Sequence, residues 1–429
     1  MYIYRELLDK LVSFYQESSR PKGLILSGVV GCGKTTLIEK LIQHLSKDHQ
    51  VFSYSGDDTL FRQKLIENSQ FIYQDVSSKS SKKAFVFVDE VQKSEEVFDA
   101  LKIAFDRGKI SFIVSGSNPA YLSTVAKKRL QRRADQMLML PISLAELAIE
   151  NQWATPNDLS LFGDILWRCK NIDEVVIPKI NVPENLSRIT EQFLTFGGLP
   201  LALVSDSEES KLREIRLTIE RGFDLMAVES NSMAEVVRAE LARLHSSEFT
   251  YKNIMEKTRV RRRDSINQIV DQLMNHGYLV RKRPVLFVEG KTSYLSVFSY
   301  VDPGSVSYLT GELQDYNRGP RIEGAIHARL SYLVYNSVYK SELGYYKPHS
   351  LDTNSNVRYS PGEIDFILQT GKRKLPIEVK STRSISDIDL TLIKSLIASE
   401  SLPFGVVLYG GAPFVNKKDQ VIFWPYWLV

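Results

Sequence analysis

The chain has 429 residues, of which 43% are hydrophobic and 25% are charged, and its formal net charge is +4 at pH 7. This composition is typical of a soluble globular protein with enough apolar material for two to four domains. Two cysteines and six scattered histidines exclude a disulfide framework and a structural zinc cluster. We find neither an 18-residue apolar run nor a signal peptide, so we expect a cytoplasmic protein. The net charge is too small to establish a nucleic-acid partner.

The first predicted elements are a strand and a helix joined by a glycine-rich turn. The apolar residues 24–27 lead into the octapeptide GVVGCGKT at 28–35, and residues 36–42 have a helical pattern. A G-x-x-x-x-G-K-[ST] turn offers backbone N–H groups to phosphates, a lysine to the β- and γ-phosphates and a hydroxyl to Mg²⁺. A plain flexible turn is the alternative. We predict an ATP and Mg²⁺ site formed by Gly28, Gly31, Cys32, Gly33, Lys34, Thr35 and Thr36.

A second apolar run, AFVFV at 84–88, ends in the carboxylates Asp89 and Glu90. A continuous apolar run is typical of a strand buried on both faces of a parallel sheet. Ligands bind at the carboxyl edge of such sheets, so we expect Asp89 to join the Mg²⁺ shell with Thr35. Glu90 is placed to orient and deprotonate the attacking water. The pair therefore predicts hydrolysis of the bound nucleotide.

A third strand, predicted over 110–115, is followed by polar residues. Ser117 and Asn118 are candidates for sensing the γ-phosphate, although they could equally form the turn that closes the strand. After a helix, the basic cluster RLQRR at 129–133 precedes a strand over 136–140. The cluster could supply an arginine finger. A solvated helix end is the preferred interpretation, because cations are favourable near a helix C-terminus.

Together, residues 28–35, 89–92 (DEVQ) and 115–117 followed by 141–143 resemble the AAA+-related ATPases of bacteria and archaea. The segment FGGLPLAL at 196–203 resembles the Gly-x-Pro element in the lid of signal-transducing STAND ATPases, whose proline lies against the adenine. The resemblance implies that Pro200 helps to hold the base and couples the nucleotide state to the lid. It implies an α/β ATPase domain over residues 1–150. In its parallel sheet, a strand should lie between the one bearing the loop and the one bearing Asp89.

The next two segments are predicted to be a helical lid over 151–230 and a winged helix over 231–295. The lid should contain helices at 158–167, 184–193 and 211–225, and the winged helix should contain helices at 233–245, 251–257 and 264–275, with a β-wing from residue 278. The start of the third helix meets DNA in helix-turn-helix proteins, so cations there predict phosphate contacts. The predicted DNA-binding residues are Arg259, Arg261, Arg262, Arg263, Arg281, Lys282 and Arg283. An ordinary charged face is the alternative, since a winged helix often serves as an internal lid in STAND proteins.

The last segment, 296–429, carries a second candidate site. Strand-like runs at 362–368 and 375–380, joined by a turn at 369–374, hold Asp365 and the sequence Glu378-x-Lys380. This spacing resembles that of the PD-(D/E)xK nucleases, which have a restriction-endonuclease-like α/β fold. Carboxylates that hold Mg²⁺ polarise a phosphate and activate water, and Lys380 shares a strand face with Glu378 and can assist that water. An ordinary surface hairpin is the alternative.

Two further residues belong to this hypothesis. Glu323, in a helix predicted over 321–332, is a third candidate metal ligand beside Asp365 and Glu378, and Lys394, in a helix predicted over 389–397, is a weaker candidate. The C-terminal half also resembles the uncharacterised domain that follows such ATPases in many bacterial and archaeal chains. That resemblance rests on YVDPG at 300–304, GPRIE at 319–323 and EID at 363–365.

The sequence therefore predicts an ATP-binding and ATP-hydrolysing, DNA-binding protein with Mg²⁺-dependent DNA cleavage by a C-terminal nuclease-like domain. The alternative is a nucleotide-switched regulatory or scaffold protein whose nuclease-like domain binds DNA or a protein partner without cutting. We expect DNA as a partner and no membrane. The sequence leaves open a homo-oligomer or a protein partner.

Overall fold

The computed structural model describes residues 2–16, 20–226, 232–287, 295–314, 316–348, 350–351, 358–359 and 362–429. The first part of the chain is an α/β domain. Its strands are β1 (Gly23–Gly28), β2 (His49–Ser55), β3 (Lys83–Asp89), β4 (Ser111–Gly116) and β5 (Ala134–Met139). Its helices are α1 (Glu6–Gln16), α2 (Lys34–Leu45), α3 (Thr59–Glu67), α4 (Phe71–Lys79), α5 (Glu96–Gly108) and α6 (Pro119–Arg129).

All neighbouring strands of this sheet are parallel, and their order is β2-β3-β4-β1-β5. Strand β4 therefore lies between β1, which leads into the glycine-rich turn, and β3, which ends at Asp89, as predicted. The inner strands β1 and β4 are buried along almost their whole length, as strands covered on both faces are. The α/β class with a parallel sheet is confirmed, and the carboxyl ends of β1, β3 and β4 meet at one edge.

A helical segment follows β5. Its helices are α7 (Leu144–Glu150), α8 (Pro156–Trp167), α9 (Leu186–Phe196), α10 (Pro200–Val204) and α11 (Glu208–Asp224). Residues 140–226, all of which are described, contain no strand. The starts of α7 and α8 are fixed by capping boxes, in which Ser143 pairs with Glu146 and Thr155 with Asp158.

The middle segment is described over 232–287 and 295–300. It contains α12 (Ser232–Arg243), β6 (Ser247–Phe249), α13 (Tyr251–Thr258), α14 (Arg263–Asn275), β7 (Leu279–Pro284) and β8 (Ser296–Tyr300). The three predicted helices are present, and β8 pairs antiparallel with both β6 and β7. The predicted domain boundary between residues 295 and 296 therefore falls inside the β7–β8 hairpin.

The C-terminal segment adds a second sheet with helices against it. Its elements are α15 (Pro303–Thr310), α16 (Arg318–Tyr335), β9 (Ser341–Tyr346), β10 (Ser350–Leu351), β11 (Arg358–Tyr359), β12 (Ile364–Thr370), β13 (Arg373–Val379), α17 (Thr391–Ser399), β14 (Gly405–Tyr409), β15 (Phe414–Asn416) and β16 (Val421–Pro425). In the described part of the chain the sheet order is β15-β16-β14-β13-β12-β9-β7-β8-β6. The C-terminal sheet is thus continuous with the middle segment through parallel pairing of β7 with β9.

The β12–β13 hairpin is tighter than predicted. Strand pairing continues to Thr370 opposite Arg373, so the loop consists of Gly371 and Lys372. Gly371 has a φ of 60°, which glycine adopts without strain and which two-residue hairpin loops require. The predicted turn at 369–374 was therefore too long.

Short 3₁₀ helices occur at Val91–Lys93, Gln131–Arg133, Ile172–Glu174, Ile388–Leu390 and Tyr426–Leu428. Among the described residues, no helix has both the length and the apolar character needed to cross a membrane.

Candidate functional site

The glycine-rich turn between β1 and α2 is closed against the helical segment. Gly31 and Gly33 have φ values of 74° and 95°, in the region that glycine enters most easily. A Cβ on Gly31 would overlap Thr218 of α11. The Cys32 side chain is fully buried in the apolar core beneath the turn, which agrees with a packing role. Thr36 is exposed at the start of α2.

Lys34, Thr35 and Asp89 lie together at the carboxyl edge of the sheet. The Lys34 ammonium is buried and donates hydrogen bonds to the carbonyl oxygens of Gly28 (2.9 Å) and Val29 (3.1 Å). The Thr35 hydroxyl donates to Asp89 Oδ2 at 2.9 Å, and the Ser115 hydroxyl donates to Asp89 Oδ1. The hydroxyl and the carboxylate predicted to share Mg²⁺ are thus adjacent, which fits a hard cation with oxygen ligands.

Glu90 is connected to the candidate sensor Ser117 through Gln92. The Gln92 amide donates to the Glu90 carboxylate and to Ser117 Oγ, the latter at 3.2 Å. Asn118 Oδ1 instead accepts from the backbone N–H of Tyr121 at 3.0 Å and caps α6. The structure therefore brings Ser117 towards Glu90, whereas Asn118 performs the turn-closing role of the alternative interpretation.

Pro200 begins α10 beside the glycine-rich turn. Its Cγ lies 3.4 Å from the position that a Cβ would occupy on Gly33. The preceding glycine pair is held from the C-terminal segment, because the Gly198 N–H donates to the buried Asp302 carboxylate at 2.6 Å. Burial raises the pKa of Asp302 to about 6, against the opposing effect of this hydrogen bond. Pro200 is thus fixed near the turn, and its contact with adenine stays a prediction.

The turn that follows α14 reaches the same edge. A Cβ on Gly277 would lie 3.7 Å from Val29 Cγ1 of the glycine-rich turn. His276 Nε2 lies 3.3 Å from the Asn118 amide nitrogen, and burial lowers the pKa of His276. A neutral imidazole nitrogen can accept a hydrogen bond from that amide. The Tyr278 hydroxyl fills space that a side chain on Gly222 of α11 would occupy. The sequence analysis did not anticipate these contacts.

Six of the seven predicted DNA-binding cations are exposed: Arg259, Arg261, Arg262, Arg263, Arg281 and Arg283. Arg262 and Arg263 occupy the N-cap and first position of α14, and the Arg263 guanidinium lies 4.0 Å from the centre of the Tyr251 ring. We call these six residues the arginine surface. Within the described residues, the ion pairs of this segment involve other side chains.

The prediction that Lys282 binds DNA is wrong, because its side chain is buried. Lys282 is 3% exposed, because successive side chains of β7 point to opposite faces of the sheet. Arg281 and Arg283 consequently face outwards while Lys282 faces inwards.

The basic cluster at 129–133, considered for an arginine finger, lies at the surface, where Arg129 binds Glu95 and Asp99. That pairing favours the helix-end interpretation.

The hairpin β12–β13 places Asp365 and Glu378 on one face. Phe366 lies opposite Ile377, so Asp365 and Glu378 follow as the next facing positions, and facing residues of antiparallel strands share a side of the sheet. Asp365 accepts from the backbone N–H of Val379 at 2.7 Å. Lys380 Nζ donates to Glu378 Oε1 at 2.8 Å.

Glu323 of α16 lies near these carboxylates, and the buried Lys282 bonds to it. Lys282 Nζ donates to Glu323 Oε1 at 2.6 Å and to the backbone oxygen of Asp365 at 2.8 Å. An open cleft of about 460 Å³ reaches two residues of the cluster, Glu323 and Lys380. Its other lining residues are Gly319, Pro320, Val379, Ser381, Thr382, Ser384, Ile385, Ser386 and Asp389. Asp365, Glu378 and Lys282 are buried. Lys394 is turned away and bonds Asp419 at 2.9 Å.

The electrostatics of this cluster are those of buried like charges. Burial raises the pKa of Asp365 well above its ordinary value, and repulsion from Glu378 and Glu323 adds to it. Burial likewise raises the pKa of Glu378 and of Glu323, although the neighbouring ammonium groups oppose the rise. For Lys380, the lowering caused by burial is outweighed by the Glu378 carboxylate, so the pKa of Lys380 is raised. Burial thus favours the neutral form of each of these three carboxyl groups more than water does.

The cluster fits a metal ion only in part. Among the described residues, no group of three His, Cys, Asp or Glu side chains is arranged to hold a metal, so the predicted convergence on one ion is not reached in this conformation. Glu378 Oε2, however, is buried and has no hydrogen-bond partner. A buried carboxylate oxygen without a partner is costly, and a cation would satisfy it.

Comparison with known proteins assigns part of the chain to a family. Residues 20–148 match the sequence model described as an AAA domain. These residues form an AAA-type P-loop ATPase domain. Beyond this AAA domain, residues 318–429 match a domain of unknown function, DUF4143. No curated protein gives a significant sequence match.

Solved structures add a distant likeness. The S. cerevisiae Hsp104–ADP complex resembles this chain with a TM-score of 0.31 and 15% sequence identity over 64% of this chain. The chain spans 40% of the length of that Hsp104 chain.

Proposed function

We propose that this chain hydrolyses ATP with Mg²⁺ and binds DNA, and that the nucleotide site controls the DNA-binding surface. The observation that carries the proposal is the position of α14. Its C-terminal end is followed by Gly277, which packs near Val29 of the glycine-rich turn. Its N-terminal end carries Arg262 and Arg263. A helix of 13 residues is about 20 Å long. One rigid element thus connects the AAA domain with the arginine surface.

Within the AAA domain, each side chain has a task in hydrolysis. Lys34 would leave its two neutral carbonyl acceptors for the phosphates, because charge-assisted bonds are stronger than neutral ones. Thr35 and Asp89 would hold Mg²⁺ between them. Glu90, released from Gln92, would take the proton of the attacking water.

The order of elements in the middle segment supports a winged-helix assignment. Helix, strand, helix, helix, strand and strand follow one another from α12 to β8, and the three strands pair around β8. In helix-turn-helix proteins the N-terminal residues of the recognition helix contact the major groove. The exposed arginines at the start of α14 have the charge and position for phosphate contacts there.

Two contacts offer routes by which the nucleotide could act on α14. Binding of phosphates must rearrange the loop that includes Val29, against which Gly277 lies. A change at the γ-phosphate would act through Ser117 and the adjacent Asn118, which bonds to His276. A ligand shifts a conformational equilibrium only if it binds the two states differently, and both contacts touch groups that the nucleotide would reorder.

The DNA-binding part is tested by replacing three arginines. In Arg261→Ala/Arg262→Ala/Arg263→Ala, we expect weaker DNA binding and a salt dependence whose slope falls by about 0.9 per lost phosphate contact. The matched control removes the same charge from the exposed Arg168, Arg188 and Arg216 of the helical segment. Binding measured by fluorescence anisotropy across a salt series should stay unchanged in the control. Equal losses in both variants would reduce the arginine surface to a contribution of net charge.

A second candidate function, Mg²⁺-dependent DNA cleavage, is favoured by the facing pair Asp365 and Glu378 with the unsatisfied oxygen of Glu378. Together with Glu323, these residues would hold a divalent metal, which would polarise a scissile phosphate and activate water. Lys380 bonds Glu378 and lines the cleft, so it could stabilise negative charge on a phosphate there. The hydroxyl-rich wall of the cleft offers hydrogen bonds to a nucleic-acid backbone.

Cleavage is tested on linear and branched DNA with Mg²⁺ or Mn²⁺. Asp365→Ala should abolish cleavage but leave ATP hydrolysis nearly unchanged, and Lys380→Ala should slow cleavage while sparing metal binding. Lys394→Ala is the control, because Lys394 bonds Asp419 instead. Absence of cleavage by the wild type on every substrate would favour a nucleotide-switched protein that binds DNA or a partner without cutting.

A further inference from the structure

Lys282 belongs to the middle segment but lies inside the carboxylate cluster of the C-terminal segment. Its ammonium bonds Glu323 and the backbone of Asp365, and it stands 4.2 Å from the centre of the Phe366 ring. The side chain is 3% exposed. A lysine is almost never buried to this extent unless it is paired, because the desolvation of its charge must be offset.

The charges of the cluster are nearly compensated without a metal. Three carboxylates, those of Glu323, Asp365 and Glu378, face two ammonium groups, those of Lys282 and Lys380. A divalent ion held by the same carboxylates would stand close to the Lys282 ammonium. Like charges held by the same carboxylates repel strongly even where the effective dielectric constant is about 20. The metal and the ammonium therefore compete for Glu323.

We infer that Lys282 is the resident cation of the C-terminal carboxylate site and that a divalent metal binds there in competition with its ammonium group. The inference rests on the metal site proposed above as the second candidate function. It explains why the carboxylates share one face without forming a closed metal site among the described residues. It also explains the inward direction of one cation between two outward arginines.

The position of Lys282 in the chain gives the competition a route to the AAA domain. Strand β7 begins at Leu279, directly after Tyr278, which packs against Gly222 of α11. The same strand pairs with β9 through Arg283. A shift of the turn next to the phosphate loop would therefore move the strand that carries Lys282.

The test is Mn²⁺ binding by the full chain without nucleotide, measured by electron paramagnetic resonance of free Mn²⁺. Lys282→Met keeps the apolar stem and removes the charge, and we expect it to bind Mn²⁺ about 10- to 100-fold more tightly than the wild type. Adding Asp365→Asn to this variant should remove the gain. Arg281→Met is the matched control on the opposite face of β7, and it should bind Mn²⁺ as the wild type does.

Unchanged Mn²⁺ affinity in Lys282→Met, or a gain that persists with Asp365→Asn, would overturn the inference. If Lys282→Met does not fold in metal-free buffer, refolding in Mn²⁺ gives the same answer. The metal should restore a cooperative melting transition by replacing the missing positive charge, and failure to do so would also overturn the inference.

The outcomes separate this inference from the nuclease proposal. Tighter Mn²⁺ binding by Lys282→Met without any DNA cleavage would support the resident cation and contradict the nuclease. Cleavage that depends on Asp365, combined with unchanged Mn²⁺ affinity in Lys282→Met, would support the nuclease and contradict the resident cation.

Discussion

Among the described residues, the carboxylates of the AAA domain and those of the C-terminal cluster accept hydrogen bonds from different kinds of group. In the AAA domain, Asp89 accepts hydrogen bonds from the hydroxyls of Thr35 and Ser115, and Lys34 donates to backbone carbonyl oxygens. In the C-terminal segment, Glu323 and Glu378 are bonded directly by the ammonium groups of lysines.

The difference indicates how each cluster meets a ligand. Hydroxyls remain compatible with a metal on the same carboxylate, and a lysine on neutral acceptors is free to move to a phosphate. These contacts fit the proposal that the AAA site accepts a nucleotide together with its metal. A carboxylate already paired with an ammonium group must exchange that partner before a metal can enter. This requirement is the basis of the inference that Lys282 and a metal compete at the second site.

The largest expected effect concerns the AAA site. Lys34→Ala should abolish ATP binding, because it removes the positively charged ammonium group that would bind the phosphates. Glu90→Gln should retain binding and hydrolyse ATP about 10²- to 10⁴-fold more slowly, since it removes the general base. Binding of a fluorescent nucleotide and release of phosphate measure the two effects.

Wild-type turnover in Glu90→Gln would break this side of the comparison. The water would then have to be activated by Asp89 or by an ordered solvent arrangement. Glu39→Ala serves as a control on the same helix, since its side chain is exposed on α2 and is not among the predicted nucleotide-site residues.

A smaller effect is expected where the AAA site meets α14. His276→Ala should leave ATP hydrolysis within about twofold and reduce the effect of nucleotide on DNA affinity, because the coupling between two sites is typically 1–3 kcal/mol. The change removes the bond to Asn118 but no group predicted to touch ATP. Comparison of DNA affinity with ATP and with ADP measures it. An undiminished nucleotide effect would place the coupling elsewhere, for instance at Gly277.

The smallest expected effect concerns Asp302, which holds the glycine pair before Pro200. Burial raises the pKa of Asp302 to about 6, above its value in the unfolded chain, so the neutral form is favoured by folding. Its contribution to stability is present at low pH and declines as the pH rises through about 6. Asp302→Ala should therefore destabilise the chain by about 1 kcal/mol more at pH 5 than at pH 8.

Urea denaturation at the two pH values measures this difference. Asp387→Ala is the control, because that carboxylate is almost fully exposed and its loss should show no such pH dependence. A larger loss at pH 8 would reverse the sign and imply that the ionised form is the one bound to Gly198.

Short-range patterns predicted the glycine-rich turn and the strands that carry the candidate nucleotide site. Residues 28–35 are contiguous, and a continuous apolar strand leads directly to Asp89. The order of strands in the sheet was predicted from the resemblance to AAA+-related ATPases. The facing pair Asp365 and Glu378 likewise followed from one hairpin. Residue types within a few positions carry such information.

Contacts between distant segments could not be predicted in this way. Lys282 meets Glu323 across 41 positions and Asp365 across 83, and Asp302 meets Gly198 across 104. The inward direction of Lys282, by contrast, follows from the alternation of side chains along β7, which separates it from Arg281 and Arg283. No comparable pattern indicates that Asp302 would reach the helical segment or that His276 would reach the AAA domain, since these contacts depend on how distant segments pack.

The central claim is that the nucleotide in the AAA domain controls the arginine surface through α14. The most direct test is the DNA affinity of Glu90→Gln, which should hold ATP without turnover, measured at one salt concentration with ATP, with ADP and without nucleotide. The account predicts that at least two of these states differ about tenfold or more, equivalent to about 1.4 kcal/mol of coupling. Equal affinity in all three states, with DNA binding still weakened in the triple arginine variant, would contradict it.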